Sequence, residues 1–263
     1  MQNAMYSALF GALSNEHRMN SIANNLANVN TTGYKRDILS FRDTYRAFAH
    51  DMIMEPVANI RQKKLFPEPQ HFAKARLATA STDFQQAGLK VTGGPFDVGI
   101  SGEGFFKVNS PQGELYTRNG HFRLTAEGLL ITEQGWPVMG EGGEITVPAG
   151  FKNIVISEDG RIFADNDLVG QISFVNVDQP GNLEKAGNNL YRPRPGADLD
   201  EIEVDPGRSW LAQGFLESAN VDAVYEMVNM IEAQRQFEAY QKMMQTSDAL
   251  DREAFTRVGR GRA

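Results

Sequence analysis

The chain has 263 residues, of which 41% are hydrophobic and 22% are charged, and it contains no cysteine. A hydrophobic fraction of this size can build a packed core and argues against a wholly disordered chain. The lack of cysteine excludes disulfides, thiolate catalysis and zinc sites with cysteine ligands.

The 33 acidic residues outnumber the 26 basic ones, and the formal net charge is −7. Nucleic acid or an anionic membrane would require a positive surface, so neither is expected as a partner. No segment approaches the roughly 18 apolar residues of a membrane span, so membrane insertion is not expected. The first residues lack the basic start and the cleavage site of a secretory signal. We therefore expect a cytoplasmic protein, or export by a specialised machine without a cleaved signal peptide.

Residues 3–30 have the spacing of a long helix. Small and apolar side chains recur every three or four positions, at Leu9, Ala12, Met19, Ala23 and Leu26. Gly33 follows the last periodic residue and is predicted to stop the helix.

The end of this helix is rich in asparagine, which is a mediocre helix former. Leu26 and Val29 lie on one side of the predicted helix. Asn24 and Asn28 fall on the opposite side, and Asn25 lies at the edge. Amides both donate and accept hydrogen bonds. Two interpretations follow: a face that contacts helices of neighbouring copies, or a solvated face on a helix that docks on its own β domain.

The segment from Lys35 to about Ala80 is mixed in character. Its apolar spacing allows another helix, with positions Ile38, Phe41, Tyr45 and Phe48. Residues 55–70 contain three prolines and are predicted to be an extended linker.

Residues 81–213 are predicted to be β-rich. Short alternating or apolar runs are separated by glycine turns at intervals of roughly 8 to 12 residues, which is typical of an antiparallel barrel or sandwich. The pairs Asn119-Gly120 and Asp159-Gly160 are predicted to form hairpin turns.

Residues 221 to about 255 have helical spacing again, and at 1.5 Å per residue this helix would be on the order of 50 Å long. Its apolar row has steps of three and four residues and one step of six; it consists of Val221, Val224, Val228, Ile231, Phe237, Tyr240 and Met244. Asn220 is predicted to cap the helix and Asp222 to lie in its first turn.

The fold class that follows is α+β, with long terminal helices flanking a central antiparallel β domain. Pairing the two helices as a coiled-coil-like unit would cover both apolar rows. The expected segments are an N-terminal helix (1–36), an extended linker with a possible helix (37–80), a β-rich domain (81–213), and a C-terminal helix with its tail (214–263).

No catalytic, cofactor-binding or metal-binding constellation emerges. The four histidines are scattered, and neither an HExxH nor a GxSxG pattern is present. Trp136 and Trp210 are predicted to belong to the core. The protein is therefore not expected to be an enzyme.

Four blocks of the sequence resemble the bacterial flagellar rod and hook protein family, and they occur in the family's order. They are NNLANVNTTGYK (24–35), GGPFDVGISGEGFFKV (93–108), YTRNGHFRLTAEGLLITEQGWPVMG (116–140) and GFLESANVDAVYEMVNMIEAQRQFEAYQKMMQTSD (214–248). The resemblance implies a structural protein of the basal body that polymerises axially. Its terminal helices would form an inner tube and its β domain an outer layer.

The resemblance also implies the partners and the location. The partners would be copies of the same chain, other rod proteins and the flagellar type III export machinery, and the location would be the periplasm-spanning rod. In the family, the asparagine-rich segment and the Asn-Val-Asp segment belong to the tube-forming core. With the apolar rows added, the predicted assembly interface consists of Asn24, Asn25, Leu26, Asn28, Val29, Asn220, Val221, Asp222, Val228, Ile231, Phe237 and Tyr240.

The opening of the sequence is most similar to the proximal rod type. A distal rod or hook-junction subunit is the alternative within the family. A secreted β-domain binding module or adhesin, and a glycan-cleaving enzyme, are alternatives from other classes, although no paired carboxylates stand out for the latter. The terminal helices are predicted to be largely disordered in the free monomer, because their faces lack burial there.

Overall fold

The computed structural model describes residues 2–47, 71–148, 150–197, 199–202, 204–205 and 207–260. A helix lies near each end of the chain, and the strands between them pair antiparallel throughout the described ladders. The α+β class predicted from the sequence is confirmed.

The helices are α1 (Gln2–Ala27) and α2 (Ala223–Arg260). The strands are β1 (Asp37–Ala47), β2 (His71–Thr82), β3 (Leu89–Val91), β4 (Val98–Ser101), β5 (Phe105–Ser110), β6 (Gly113–Thr117), β7 (Phe122–Leu124), β8 (Leu130–Thr132), β9 (Met139–Gly140), β10 (Gly143–Glu144), β11 (Ile154–Ile156), β12 (Arg161–Ala164), β13 (Asp167–Gln171), β14 (Phe174–Val177), β15 (Leu183–Gly187), β16 (Leu190–Pro193), β17 (Glu201–Ile202), β18 (Trp210–Gln213) and β19 (Phe215–Glu217).

The start of α2 differs from the prediction. The carboxylate of Asp222 accepts hydrogen bonds from the backbone N–H groups of Val224, at 2.9 Å, and Tyr225, at 3.1 Å. Asp222 is therefore the N-cap, since it satisfies two backbone donors that the first helical turn leaves unpaired. Assigning the cap to Asn220 was wrong, because the Asn220 amide is used in long-range hydrogen bonds.

Residues 37–47 form a strand instead of the helix that their apolar spacing allowed. Ile, Phe, Thr and Tyr in this segment favour strands, and β1 pairs with β2 in a two-stranded sheet that satisfies its backbone groups. Phe48 and the proline-containing linker over 55–70 lie outside the described residues.

The largest sheet has six strands in the order β15-β16-β6-β5-β14-β17, and a second has the order β11-β12-β13. The hairpin predicted at Asp159-Gly160 joins β11 to β12, and Gly160 has the positive φ of +87° that the turn requires. The prediction at Asn119-Gly120 was wrong, since it joins β6 to β7, which pair with other strands. An antiparallel β domain is established, and its closure into a barrel or sandwich stays a prediction.

The core of the β domain is built from inward-facing residues of many short strands. The largest cluster consists of Val98, Ile100, Phe106, Phe122, Leu130, Val138, Ile145, Val147, Ile154, Ile156, Ile162, Ala164, Ile172 and Leu211. A second cluster contains Phe105, Tyr116 and Tyr191 in edge-to-face ring contacts. The alternation of buried and exposed positions in β11 and β12 places Val155 outside and its neighbours in this core.

The chain divides into two compact units. The helical unit contains residues 1–23, 39–80 and 227–263, and the β unit contains residues 24–38 and 81–226. Residues 24–36 and 214–226, which the sequence assigned to the terminal helical segments, thus belong with the β strands.

Candidate functional site: a buried junction and two helix faces

The end of α1 is held in the β unit by Asn25, whose side chain is only 2% exposed. Its Oδ1 accepts hydrogen bonds from the Tyr34 hydroxyl, at 3.2 Å, and the Asp37 N–H, at 3.0 Å. Its Nδ2 donates to the Asp37 carbonyl, at 3.1 Å, and to Glu226 Oε1, at 3.5 Å. Only an amide both donates and accepts in this way, so an aspartate or leucine could not replace it.

A charged cluster lies beside this amide. Lys35 Nζ lies 2.7 Å from both Glu217 Oε1 and the Gln85 carbonyl, and the side chains of Lys35 and Glu217 are fully buried. Arg118 NH1 lies 3.4 Å from the other Glu217 oxygen, and the Ala87 N–H donates to Oε1 at 2.9 Å. One buried carboxylate therefore forms ion pairs with two buried cations.

Burial is the main influence on these cations. Desolvation lowers the pKa of Lys35, and the Glu217 carboxylate opposes that shift. The same two effects act on the pKa of Arg118, which burial also lowers. Glu217 is therefore the group that allows both side chains to remain charged inside the protein.

Asn220 connects the start of α2 to two other segments. Its Oδ1 accepts from the Arg36 N–H at 2.7 Å, and its Nδ2 donates to the Asp83 carbonyl at 2.7 Å. The guanidinium of Arg36 also forms an ion pair with Asp83, at 3.0 Å. The Asn220 N–H donates to the Tyr34 carbonyl at 3.2 Å. Three chain segments are thereby joined at one amide side chain.

Gly33 fits against the strand region through its backbone. Its N–H donates to the Glu217 carbonyl at 2.7 Å, and its φ is +65°. A Cβ at this position would lie 2.6 Å from the carbonyl carbon of Arg118. Glycine is therefore required here by both conformation and space.

Lys185 contacts both Tyr34 and Asp37. Its Nζ lies 4.1 Å from the centroid of the Tyr34 ring and 2.9 Å from Asp37 Oδ1. Desolvation lowers the pKa of Lys185, while Asp37 opposes the shift. The same desolvation raises the pKa of the Tyr34 hydroxyl, which stays neutral as a hydrogen-bond donor to Asn25. We call this set of contacts the buried junction; its members are Asn25, Gly33, Tyr34, Lys35, Arg36, Asp37, Asp83, Arg118, Lys185, Glu217, Asn220 and Glu226.

Within the helical unit, α1 and α2 meet through small and polar side chains. Ala8 and Ala12 of α1 are buried, and Ala233 of α2 is fully buried. The buried Asn15 amide donates a hydrogen bond to the Ala233 carbonyl. A Cβ on Gly11 would lie 2.5 Å from the Tyr240 ring, so the absence of a side chain there permits the close approach.

The buried side of α2 differs from the predicted apolar row. Buried and half-buried positions follow steps of three and four residues along the helix; they are Met230, Ala233, Phe237, Tyr240, Met244, Ser247 and Asp251. Phe237 and Tyr240 belong to this side as predicted, but Val228 and Ile231 are each 51% exposed. Two residues correspond to about 200° around a helix, so Ile231 points away from Ala233. The step of six residues in the predicted row marks the change from one face to the other.

The remaining residues of the predicted interface are Asn24, Leu26, Asn28, Val29 and Val221. Asn28 donates to the carbonyl and to Oδ1 of Asn24, both at 2.9 Å, so these two amides hold the last turn of α1 together. Leu26, Val29 and Val221 are half-buried. Whether these residues contact other subunits stays a prediction.

Several residues of this site had no clear signal in the sequence. Lys35 is the last residue of the asparagine-rich block, and Glu217 lies in the GFLES segment, but nothing local connects them. Among the described residues, no group of three or more histidine, aspartate or glutamate side chains could hold a metal ion. None of the described helices is long and apolar enough to cross a membrane.

Comparison with known proteins gives matches at both ends and in the middle of the chain. Three family models match: "Flagella basal body rod protein" over residues 5–35, "Flagellar hook protein FlgE/F/G D1 domain" over 99–164, and "Flagellar basal body rod FlgEFG protein C-terminal" over 212–256. The chain is 34% identical to the flagellar basal-body rod protein FlgF of Caulobacter vibrioides, with 99% of each chain covered. It is 35% identical to FlgG of Buchnera aphidicola subsp. Acyrthosiphon pisum, with 88% of this chain and 90% of that protein covered. It is 34% identical to FlgG of Borreliella burgdorferi, with coverages of 94% and 96%.

Proposed function

The chain belongs to the family of flagellar basal-body rod proteins and is a structural subunit of the rod, not an enzyme; from this premise we propose that it polymerises through its terminal helices into the axial drive shaft. The partners would be further copies of the chain and other rod proteins. The proposed location is the periplasm-spanning part of the basal body, reached through the flagellar type III machinery without a cleaved signal peptide.

The exposed apolar faces of the two helices carry this proposal. The contact between α1 and α2 is formed mainly by small residues. Leu9 and Leu13 of α1 and Val228 and Ile231 of α2 lie outside this contact and remain exposed. Each side chain is already about half buried, so covering the rest would contribute about 1 kcal/mol per residue. Contacts with neighbouring helices would supply that burial, and head-to-tail contacts that do not close build helical assemblies.

The buried junction suits a subunit that transmits torque. Within the β unit, Asn25, Lys35 and Asn220 hold together the segments that adjoin the two helices in the sequence, by hydrogen bonds and ion pairs. Closely packed interiors resist deformation. We propose that the junction makes this part of the β unit stiff, as a subunit that transmits torque requires.

The subunit is proposed to be of the proximal rod type, with the distal rod or hook junction as the alternative position. Relatives named FlgF and FlgG both match over most of the chain. Cross-linking in purified basal bodies, followed by identification of the linked rod components, separates the two positions.

Charged substitutions on the exposed face of α2 test the proposed assembly. The double variant Val228→Asp/Ile231→Asp is expected to raise the protein concentration needed for assembly at least tenfold. A loss of about 1.4 kcal/mol in the binding free energy of one subunit contact already weakens that contact tenfold. Sedimentation and electron microscopy measure the assembled fraction, and circular dichroism checks that the subunit stays folded. Val91→Asp/Leu168→Asp adds the same two charges at exposed apolar positions of the β unit, 69% and 61% exposed, and is the matched control. Normal assembly of the double variant would argue against this face as the interface.

Hydrogen exchange tests the state of the helices before assembly. In dilute, free subunit, the amides of residues 3–23 are expected to exchange much faster than those of the β unit, because neighbouring copies are needed to cover this part of the helix. On assembly the same amides should become protected. Slow exchange throughout 3–23 in the dilute sample would contradict this prediction.

A further inference from the structure

A cleft of about 990 Å³ in the β unit is a candidate binding site. Its apolar residues come from three strands and include Phe174 and Val175 of β14, Ile202 of β17 and Trp210 of β18. Clefts that bind small molecules commonly have volumes of roughly 300–1,000 Å³ and combine an apolar surface with a few polar groups that fix the ligand. The size and the composition of this cleft therefore fit an organic ligand.

Trp210 gives the cleft a flat apolar surface. It is 42% exposed, while the next residue of β18, Leu211, is 2% exposed. Because successive side chains of a strand point to opposite faces, the burial of Leu211 in the core turns the indole ring of Trp210 outwards. The assignment of Trp210 to the core on sequence grounds was therefore wrong, whereas Trp136 packs against the buried side chains of Val108 and Leu190 as predicted.

Two carboxylates in the cleft are available as hydrogen-bond acceptors. Four carboxylates line it, and two of them are already in ion pairs, Asp159–Arg161 at 3.0 Å and Glu201–Lys107 at 2.8 Å. Within the described part of the chain, the side chains of Glu141 and Glu158 have neither an ion pair nor a hydrogen bond. A ligand could therefore donate to both carboxylates without displacing a protein contact.

Residues of the same cleft also carry unpaired donors. The indole N–H of Trp210 and the hydroxyl of Ser173 have no hydrogen-bond partner among the residues that the structure describes. A lysine or arginine side chain would satisfy the carboxylates but could not accept from these donors. An anionic ligand would accept from the donors but would be repelled by the carboxylates. A neutral hydroxyl group both donates and accepts, so it alone suits both sets of groups.

We propose that this cleft binds a neutral oligosaccharide of β-linked pyranose units. The C–H groups on one face of a pyranose ring carry a slight positive charge and would stack on the indole ring of Trp210, whose π face is negative. The ring hydroxyls would donate to Glu141 and Glu158 and accept from Ser173. This site goes beyond the proposed function, since neither the exposed helix faces nor the buried junction contributes to it.

Calorimetric titration of the full-length protein tests the site with two probes. Cellotetraose carries only hydroxyl groups, and tetra-N-acetylchitotetraose adds acetamido groups. A Kd of about 1 mM or lower is expected for at least one of them. Binding of cellotetraose would show that hydroxyls are sufficient, and binding of the second probe alone would show that the acetamido groups are also recognised. No binding of either saccharide at about 10 mM would overturn the inference.

Substitution of the indole ring tests its role as the platform. Trp210→Ala is expected to raise the Kd at least tenfold, because it removes the stacking surface. Trp210→Phe keeps an aromatic face and should raise it only about threefold. Tyr225→Ala removes an aromatic side chain that is 58% exposed outside the cleft, and it is the matched control. Unchanged affinity in Trp210→Ala, with the fold checked by circular dichroism, would overturn the inference.

Charge and salt distinguish a saccharide from a cationic partner. Glu141→Gln/Glu158→Gln should weaken saccharide binding about tenfold, because hydrogen bonds to a charged acceptor are roughly twice as strong as neutral ones. The affinity of the natural protein for a neutral saccharide should be nearly independent of sodium chloride, whereas that for pentalysine would fall with salt. Binding of pentalysine that Trp210→Ala abolishes, without binding of either saccharide, would overturn the inference and assign the cleft to a cationic partner. Full saccharide affinity in the glutamine variant would equally exclude the proposed contacts.

Discussion

Replacing Glu217 with glutamine is expected to lower the free energy of unfolding by about 3–5 kcal/mol, the range for breaking a buried ion pair. Glutamine keeps the size of the side chain and still accepts a hydrogen bond from the Ala87 N–H. The loss is therefore one of charge, and it leaves Lys35 and Arg118 buried with no carboxylate between them. Urea unfolding followed by tryptophan fluorescence measures it, since both tryptophans lie in the β unit.

The pH dependence of this variant provides a second readout. Burial already lowers the pKa of Lys35, and removing Glu217 takes away the group that opposes the shift. The folded variant then binds fewer protons than its unfolded state, so its stability should rise with pH up to the unfolded lysine pKa of about 10.4. Part of the lost stability is thus recovered at alkaline pH, where Lys35 becomes neutral. A deficit that is independent of pH would contradict this explanation.

Glu133→Gln is the matched control for Glu217→Gln. Glu133 pairs with Arg123 at 3.9 Å on the surface of the same β unit, where both side chains are more than half exposed. Exposed ion pairs contribute only about 0.2–1 kcal/mol. A comparable loss in both variants would mean that burial is not what makes the Glu217 cluster important.

Gly33→Ala is expected to destabilise the β unit by about 2–4 kcal/mol, the second-largest effect. The residue has a positive φ, which costs other residues about 1–2 kcal/mol. In addition, its Cβ would overlap the backbone carbonyl group of Arg118, which cannot move aside as a side chain can. The same unfolding experiment measures the effect.

Gly93→Ala separates the two contributions at Gly33. Gly93 has a similar φ of +71°, but no atom lies within 4 Å of the position of an added Cβ. This control should lose only the conformational part, about 1 kcal/mol. Equal losses at Gly33 and Gly93 would show that the close approach to Arg118 has no energetic role.

The sequence by itself determined the order and type of most elements. The period of 3.6 residues at both ends predicted the helices, and alternating runs separated by glycine turns predicted the β domain between them. These patterns are local, because a helix or a hairpin turn is specified by residues a few positions apart. The four blocks that resemble the rod and hook family, and their order, also indicated that family, which the comparisons with FlgF and FlgG confirm.

The tertiary structure decided which side chains of these elements are buried and which residues they contact. Val228 and Ile231 continue a helical row in the sequence, but contact with α1 selected Ala233 and Tyr240 for the buried side of α2. Lys35 and Glu217 are 182 positions apart, and no periodicity relates them. A desolvated charge must find its counterion wherever the fold places it, so only the tertiary structure shows that a lysine near the first helix and a glutamate before the second stabilise one junction.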